Sequence, residues 1–172
     1  LLFFAHSGGA QTMLIDDFSP NSNGQWRYFA DTVMGGVSDG SARIVQTDIG
    51  PAAHLYGQVS TENNGGFIQI RTGLNGKAAQ NAEGLRLRVR GNGETYYIHL
   101  RTSGSFMPWQ YYFAEFPTTS NWTEVWLPFN SFKASARGMR KALQPSAISS
   151  LGVVAYGKDH QADLWVEEIS LY

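Results

Sequence analysis

The sequence predicts an all-β domain built as a sandwich or a barrel. About ten strand-like runs recur along the chain with turn residues between them, a spacing that is typical of these folds. Charged residues make up only 16% of the 172 residues and aromatic residues 13%, and there are 19 glycines, a composition that suits strands and frequent turns. Long amphipathic crossover helices are missing from the pattern, which excludes a fully parallel α/β fold.

The predicted strands follow one another in order, and clusters of glycine, proline or asparagine separate them. Two short segments, 75–81 and 144–149, look helical, and Pro145 suits the first turn of the second one. We expect one domain over residues 13–172, long enough to bury about 70% of its unfolded surface without a disulfide or a metal. The strands are predicted at residues 14–18, 43–46, 54–59, 67–72, 85–90, 95–101, 110–116, 123–127, 151–156 and 164–171.

Residues 85–101 are predicted to form the central hairpin of the domain. Apolar and polar residues alternate on both sides of Gly91-Asn92-Gly93, which supplies the positive φ angles that a tight turn requires. The apolar set points into the core and the polar set shares the opposite face, which has no acid on its two strands and therefore suggests a contact with a partner. The core set is Leu85, Leu87, Val89, Ile98 and Leu100, and the polar set, called the arginine face, is Arg86, Arg88, Arg90, Tyr97, His99 and Arg101.

Two glycine-bearing loops, 31–38 and 63–67, are predicted to form the rim of the arginine face. The first loop has no strand-then-helix context, which disfavours a phosphate-binding loop. A structural loop and a ligand-lining loop are the two interpretations that remain. If these loops line a site, Asp31 and Asn63 are their candidate binding residues.

Arg71 lies on the strand that follows the second loop and has two interpretations. Alternation places Gln69 and Arg71 on the same face of that strand. Arg71 either extends the arginine face or forms a buried ion pair with Asp31 or Glu62 that ties two loops together. The buried ion pair is the favoured interpretation.

Aromatic residues cluster between residues 107 and 126. Strand alternation places about half of them in the core, and Trp109, Tyr112 and Trp126 are the candidates for exposure near the arginine face. Flat rings beside arginine, histidine and glutamine suit the stacking of sugar rings or the hot spot of a protein interface. The alternative is that these large residues only fill the core of the sandwich.

Signatures of catalysis are missing from the sequence. There are no cysteines, and the four histidines lie in neither a nucleophile elbow nor a zinc-binding spacing. Acidic residues look too sparse for the carboxylate pair of a glycosidase. We therefore predict a protein that is not an enzyme, with no catalytic residues.

Two acidic pairs on the terminal strands form the candidate metal site. The first and last strands of a sandwich often lie side by side, and oxygen-rich clusters at such an edge can hold calcium, the one cofactor that the sequence suggests. The alternative is that these acids are solvated and discourage strand pairing at the edge. The pairs are Asp16 with Asp17 and Glu167 with Glu168.

Residues 1–12 differ from the rest of the chain. An apolar run is followed by small and polar residues, an order that fits the end of a signal peptide and favours a periplasmic or secreted location. A packed N-terminal arm is the alternative. The net charge of -1 disfavours a nucleic-acid partner, and nothing elsewhere is long and apolar enough for membrane insertion.

Several motifs indicate one family. Residues 33–38 read Val-Met-Gly-Gly-Val-Ser, and residues 64–67 read Asn-Gly-Gly-Phe. Further matches are Trp26, Asp31, Arg71, Gly84–Gly91, Tyr96, Arg101, Trp122, Phe132, Leu151, Gly152 and Ile169. On these residues, the chain resembles a bacterial-type member of the complex I intermediate-associated protein family over residues 14–172. Asn92 departs from the pattern, because the family commonly has an acid in that turn.

The resemblance implies a galactose-binding-domain-like β-sandwich, or jelly roll. The family takes its name from a mitochondrial chaperone that helps to assemble respiratory complex I, and it has no established catalytic residues to carry over. We therefore expect a non-catalytic, protein-binding module that resembles an assembly factor and engages its partner through the arginine face. The alternative is a carbohydrate-binding module that binds a glycan on a sheet face with exposed aromatic residues and arginines.

Overall fold

The computed structural model describes residues 12–172, which fold into two layers of antiparallel strands. Between the strands lies one short α-helix, α1 (Gly76–Ala79), and Asn75 caps it by accepting a hydrogen bond from the Lys77 backbone N–H. The strands of this part of the chain are β1 (Met13–Asp16), β2 (Arg27–Ala30), β3 (Asp39–Gln46), β4 (Pro51–Val59), β5 (Phe67–Gly73), β6 (Gly84–Gly91), β7 (Thr95–Thr102), β8 (Tyr112–Pro117), β9 (Thr123–Pro128), β10 (Lys133–Ala134), β11 (Ile148–Tyr156) and β12 (His160–Leu171).

Each of the two sheets contains six strands. Sheet A has the order β3-β4-β12-β6-β9, with β1 paired to the end of β12, and sheet B has the order β10-β8-β7-β11-β5-β2. This arrangement confirms the predicted all-β sandwich. All ten predicted strands are present, whereas β2 and β10 were not predicted from the sequence. The predicted helical segment at 144–149 is a single 3-10 turn, Pro145–Ala147.

The core lies between the two sheets and is built by strand alternation. Leu85, Leu87 and Val89 of β6 point inward from sheet A, and Ile98 and Leu100 of β7 point inward from sheet B. All five side chains are fully buried, which confirms the predicted core set. Each such burial stabilises the fold by roughly 1.5–3 kcal/mol.

The turn between β6 and β7 is a corner between the sheets, so the predicted hairpin is wrong. β6 pairs with β12 and β9 in sheet A, whereas β7 pairs with β11 and β8 in sheet B. The buried Tyr96 holds this corner, because its hydroxyl donates a hydrogen bond to Asn92 Oδ1 and accepts one from the Asp163 backbone N–H. Asn92, the departure from the family pattern, therefore has a structural role in the corner.

The corner divides the predicted arginine face between the two outer surfaces of the sandwich. Alternation identified the outward positions of each strand correctly, but the two strands turn their outward sides in opposite directions. Arg86, Arg88 and Arg90 lie on the outer face of sheet A, and Tyr97, His99 and Arg101 lie on the outer face of sheet B.

The interpretation of the N-terminal segment as an arm or signal remnant falls almost wholly outside the described residues. Within residues 12–172, no helix has the length and apolar character needed to cross a membrane.

Candidate functional site

A groove of about 720 Å³ lies on the outer face of sheet B. Side chains of β2, β5, β7 and β11 form its floor, and both glycine-bearing loops together with residues 108–111 form its walls. The groove is wide enough for a small organic ligand, since ligand sites in proteins commonly measure about 300–1,000 Å³. The structure thus brings part of the arginine face and the two glycine-bearing loops together around one concave site.

Gly152 of β11 lies beneath the floor of the groove, between two of its lining residues. On β11, Gly152 is the cross-strand neighbour of Arg71 on one side and of His99 on the other. A Cβ atom at this position would lie 2.9 Å from Gln69 Oε1. The missing side chain therefore leaves room for the Gln69 amide to lie over Gly152, between Arg71 and His99.

His99 and Tyr111 form a flat aromatic wall. Their ring centres are 4.0 Å apart with an interplanar angle of 14°, and the ring of Tyr156 meets His99 edge-on at 5.6 Å. Burial lowers the pKa of His99 to about 3, so its imidazole is neutral at physiological pH. Burial and the neighbouring Tyr156 hydroxyl raise the pKa of Tyr111. At neutral pH this wall therefore carries no charge.

The ring nitrogens of His99 have no hydrogen-bond partner among residues 12–172, unlike those of His54, which contacts Asp163 at 2.8 Å. A neutral imidazole has one N–H donor and one acceptor nitrogen. His99 can therefore both donate to and accept from a ligand that enters the groove.

Two arginines border the groove without a carboxylate partner. The guanidinium carbon of Arg71 lies 4.7 Å from the ring centre of Phe29, and Nη2 of Arg101 donates to the carbonyl oxygens of Ser105 and Met107 at 2.9 and 3.2 Å. The favoured ion pair of Arg71 with Asp31 or Glu62 is wrong. Arg71 instead shares the outer face of sheet B with His99 and Arg101.

Asp31 is fully buried beneath the rim and cannot reach a ligand, contrary to its predicted binding role. Its carboxylate accepts hydrogen bonds from the backbone N–H groups of Ser38, Gly66 and Phe67 at 2.9, 2.6 and 3.2 Å, and from the Ser38 hydroxyl. Burial raises the pKa of Asp31, but these hydrogen bonds outweigh burial and hold the pKa below its ordinary value. Asp31 thereby ties the two glycine-bearing loops together.

Other predicted binding residues of sheet B and its loops lie in different places. Trp109 lines the groove and is 60% exposed, and Asn63 lies at the rim, where its Nδ2 donates to the Gly35 carbonyl oxygen at 3.3 Å. Tyr97 packs edge-on against Tyr156 beside the groove. The predicted exposure of Tyr112 is wrong, because it is buried and its hydroxyl donates to the Arg140 carbonyl oxygen. The neighbouring tyrosine, one position earlier, faces the groove instead.

The remaining predicted residues lie on the opposite surface, the outer face of sheet A, where acids from neighbouring strands neutralise Arg86 and Arg88. Arg88 Nη1 lies 2.9 Å from Glu167 Oε2, and Arg86 pairs with Glu168. Trp126 is 47% exposed and lies near Arg86. These residues are far from the groove in the fold, because sheet B and the core lie between them.

The acids of the candidate calcium site are engaged by other groups. β1 does lie beside β12, as the prediction required. However, Asp16 accepts a hydrogen bond from Trp26 Nε1 at 2.8 Å, Asp17 accepts one from a backbone N–H, and Glu167 and Glu168 hold the arginines of sheet A. Within residues 12–172, no three His, Cys, Asp or Glu side chains are grouped closely enough to hold a metal ion.

Sequence reasoning missed several residues of the groove. Phe29 lies on β2, a four-residue strand too short to give a clear alternating pattern. Tyr156 and Gly152 lie on a predicted strand. Most residues of that strand are apolar, so its sequence has no alternation that would indicate which side faces outward. Gln69 was placed correctly beside Arg71, so the alternation of β5 was the usable signal.

The two antiparallel sheets and the groove place this chain in the class of β-sandwich domains with a concave site on one sheet. The chain belongs to the complex I intermediate-associated protein 30 (CIA30) family, whose sequence model matches residues 16–166, as the Val-Met-Gly-Gly-Val-Ser motif predicted. No curated protein matches the chain.

Three of the solved structures that are similar to this chain are carbohydrate-binding modules of Clostridium thermocellum. The family 11 module of the cellulosomal cellulase Lic26A-Cel5E has a TM-score of 0.76 and 17% identity, covering 95% of both chains. The family 11 module in complex with a β-1,3-1,4-mixed-linked tetrasaccharide has a TM-score of 0.74 and 17% identity, covering 93% of this chain and 94% of that one. The family 30 module of Cel9D-Cel44B has a TM-score of 0.66 and 14% identity, covering 94% and 97%. These similarities confirm the jelly-roll β-sandwich.

Proposed function

We propose that this chain is a carbohydrate-binding module and that the groove on sheet B binds an oligosaccharide. The observation that supports this proposal is the combination of a concave site, an exposed Trp109 ring and unpartnered polar groups on the floor. A protein partner usually meets a broad, flat patch, whereas a sugar chain requires a groove with rings and hydrogen-bonding groups.

Each part of the groove has a role in this proposal. The ring of Trp109 and the stacked pair of His99 and Tyr111 offer flat apolar surfaces for the C–H faces of sugar rings. Gln69, the neutral imidazole of His99 and the guanidinium of Arg71 supply donors and acceptors for hydroxyl groups. Gly152 lets the Gln69 amide lie low in the floor, beneath the position of a bound sugar ring.

The structural neighbours support the same proposal by analogy. One of them is a module solved in complex with a tetrasaccharide. Fold similarity at this level of identity does not by itself fix a ligand, so the proposal depends on the chemistry of the groove. The groove lining contains no carboxylate pair, which favours binding over glycoside hydrolysis.

Protein binding is the second candidate, and the apolar rim favours it. Val33 is 72% exposed, Met34 59% and Phe106 84%, and all three lie at or close to the walls of the groove. Exposed apolar clusters of this kind are typical of interaction surfaces. An assembly role, as the family's name suggests, would use this rim.

Replacing Trp109 with alanine is the direct test of the proposed function. In affinity electrophoresis or calorimetry against a panel of oligosaccharides, we expect the wild-type protein to bind at least one member. Trp109→Ala should then weaken that binding by about tenfold or more, because stacking area is lost. Trp126→Ala is the matched control, since it removes a similarly exposed tryptophan from the opposite face. Equal affinities of the two variants, or no binding by the wild type, would contradict the proposal.

Filling the floor of the groove should remove binding without unfolding the protein. In Gly152→Val the new side chain meets the movable end of Gln69, and valine suits a strand, so we expect a melting temperature close to that of the wild type. Binding should fall by about tenfold or more, because the branched side chain pushes the Gln69 amide out of the floor and into the path of the ligand. Gly73→Val is the control, since nothing lies closer than 4.0 Å to a Cβ atom there. A Gly152→Val protein that binds normally would show that the floor is not the site.

A further inference from the structure

We propose that the groove selects an acidic oligosaccharide, one whose sugar units carry carboxylate or sulfate groups. This inference rests on the proposed function and adds the chemical class of the ligand. It is carried by the arginines of the groove, which have no anionic partner in the protein.

Three arginines lie close together on this face. Arg27 of β2 is the cross-strand neighbour of Arg71. Arg101 lies on β7, two positions after His99, which is on the same face. Within residues 12–172, none of the three has a carboxylate within ion-pairing distance. Residues 1–11 contain neither aspartate nor glutamate, so they cannot supply a side-chain carboxylate.

A shortage of acids does not explain these unpaired arginines. The chain has 14 acidic residues for 13 lysines and arginines. On sheet A, Arg86 and Arg88 both have glutamate partners. The groove lining, in contrast, contains no acid, and the acid at an outward position of the sheet B strands, Glu115, lies opposite Tyr97. Arg71 and Arg101 therefore face a groove whose lining carries positive charge and no acid. Arg90, which within the described residues is the other unpaired arginine of β6, lies over the rings of Trp122 and Trp165 on sheet A.

The environment of the two groove arginines favours an anion. Burial, and then the charge of Arg101, lower the pKa of Arg71, which means that the cationic form of Arg71 is destabilised by its surroundings. A carboxylate or sulfate between them would relieve this repulsion. Nη2 of Arg101 donates to the carbonyl oxygens of Ser105 and Met107, and its Nε–H and Nη1–H groups can each donate a single hydrogen bond to an anion.

Matched pairs of sugars provide the test. Calorimetry would measure the affinity of the wild-type protein for two pairs of sugars. The first pair is cellotetraose and the same tetrasaccharide oxidised to glucuronate at its primary hydroxyls. The second pair is methyl-esterified oligogalacturonate and its free acid. We expect at least one acidic member to bind about tenfold or more tightly than its neutral partner, and added salt to reduce this preference. Arg71→Gln should abolish the preference, and Arg71→Lys should restore part of it. Arg86→Gln on sheet A should leave it unchanged.

The outcomes separate this inference from the proposed function. Equal or tighter binding of the neutral members would overturn the acidic preference and leave the carbohydrate-binding function in place. Failure of the wild type to bind any member of these pairs or of the oligosaccharide panel would overturn both. A poly-glutamate peptide that binds as tightly as the acidic sugars would also overturn the inference, because the groove would then recognise any carboxylate. Melting temperatures of all variants establish that a lost preference is not a lost fold.

Discussion

Replacing Asp31 with alanine is expected to lower the free energy of unfolding by about 3–5 kcal/mol. The substitution removes the acceptor of four hydrogen bonds and leaves the buried backbone N–H groups of Ser38 and Gly66, and the half-buried one of Phe67, without partners. Each buried unpaired donor costs about 1–3 kcal/mol. The two glycine-bearing loops that form the rim of the groove should separate, so ligand binding should fall together with stability.

Urea unfolding followed by tryptophan fluorescence measures this loss. Asp159→Ala is the control, because Asp159 also accepts hydrogen bonds from a backbone N–H and a hydroxyl, those of Thr61, but at the exposed surface. Its loss should be much smaller, since water can replace the lost acceptor. A similar loss in both variants would mean that Asp31 has no special role as a buried anchor.

The same carboxylate predicts a limit to stability in acid. The folded pKa of Asp31 lies below its ordinary value of 3.8, so the folded state favours the ionised form. Its contribution is therefore present above pH 3.8 and is lost as the pH falls through the lower folded pKa. In acid, the free energy of unfolding of the wild type should fall by the contribution of Asp31. The free energy of unfolding of Asp31→Ala should not show this additional fall.

The alternating pattern predicted each strand's inward and outward residues but not the neighbours of that strand. β6 and β7 have the pattern of a hairpin, and the same pattern is equally satisfied when each strand lies in a different sheet. Strand pairing depends on contacts between distant segments, such as β6 with β12, which local periodicity does not record. The predicted core was therefore right, while the predicted arginine face combined two opposite surfaces.

The residues of the candidate site could also be predicted by type but not by their neighbours in the fold. Arg71, His99, Arg101 and Trp109 were identified from residue type, and they lie together because the fold places β5, β7 and the 108–111 segment around one groove. The acids that neutralise Arg86 and Arg88 come from β12, far along the chain, so the sequence could not show which arginines remain unpaired. The family motif located the rim loops, but the burial of Asp31 beneath them depends on the assembled sandwich.

The second large effect expected is a pH dependence of stability caused by His99. Burial lowers its folded pKa from 6.5 to about 3, so the folded state holds the neutral imidazole. Below pH 6.5 the unfolded chain binds a proton at this residue and the folded chain does not. The contribution of neutral His99 is therefore fully present above pH 6.5, and it falls by about 1.4 kcal/mol for each pH unit until the folded group also titrates.

His99→Gln keeps a donor and an acceptor in the wall of the groove but does not titrate. Between pH 7 and pH 5, the wild type should lose about 2 kcal/mol of unfolding free energy relative to this variant, measured by urea unfolding at both pH values. The groove lining around His99 contains tyrosines and arginines and no carboxylate, so the difference between the wild type and the variant reports the titration of this imidazole.

An NMR titration of His99 is the second measurement. A His99 signal that titrates near pH 6.5 would contradict the lowered pKa and show that water reaches the ring. If the ring stays neutral, the proposed binding of a sugar at His99 should be insensitive to pH in the same range, because the groove would present the same donor and acceptor throughout.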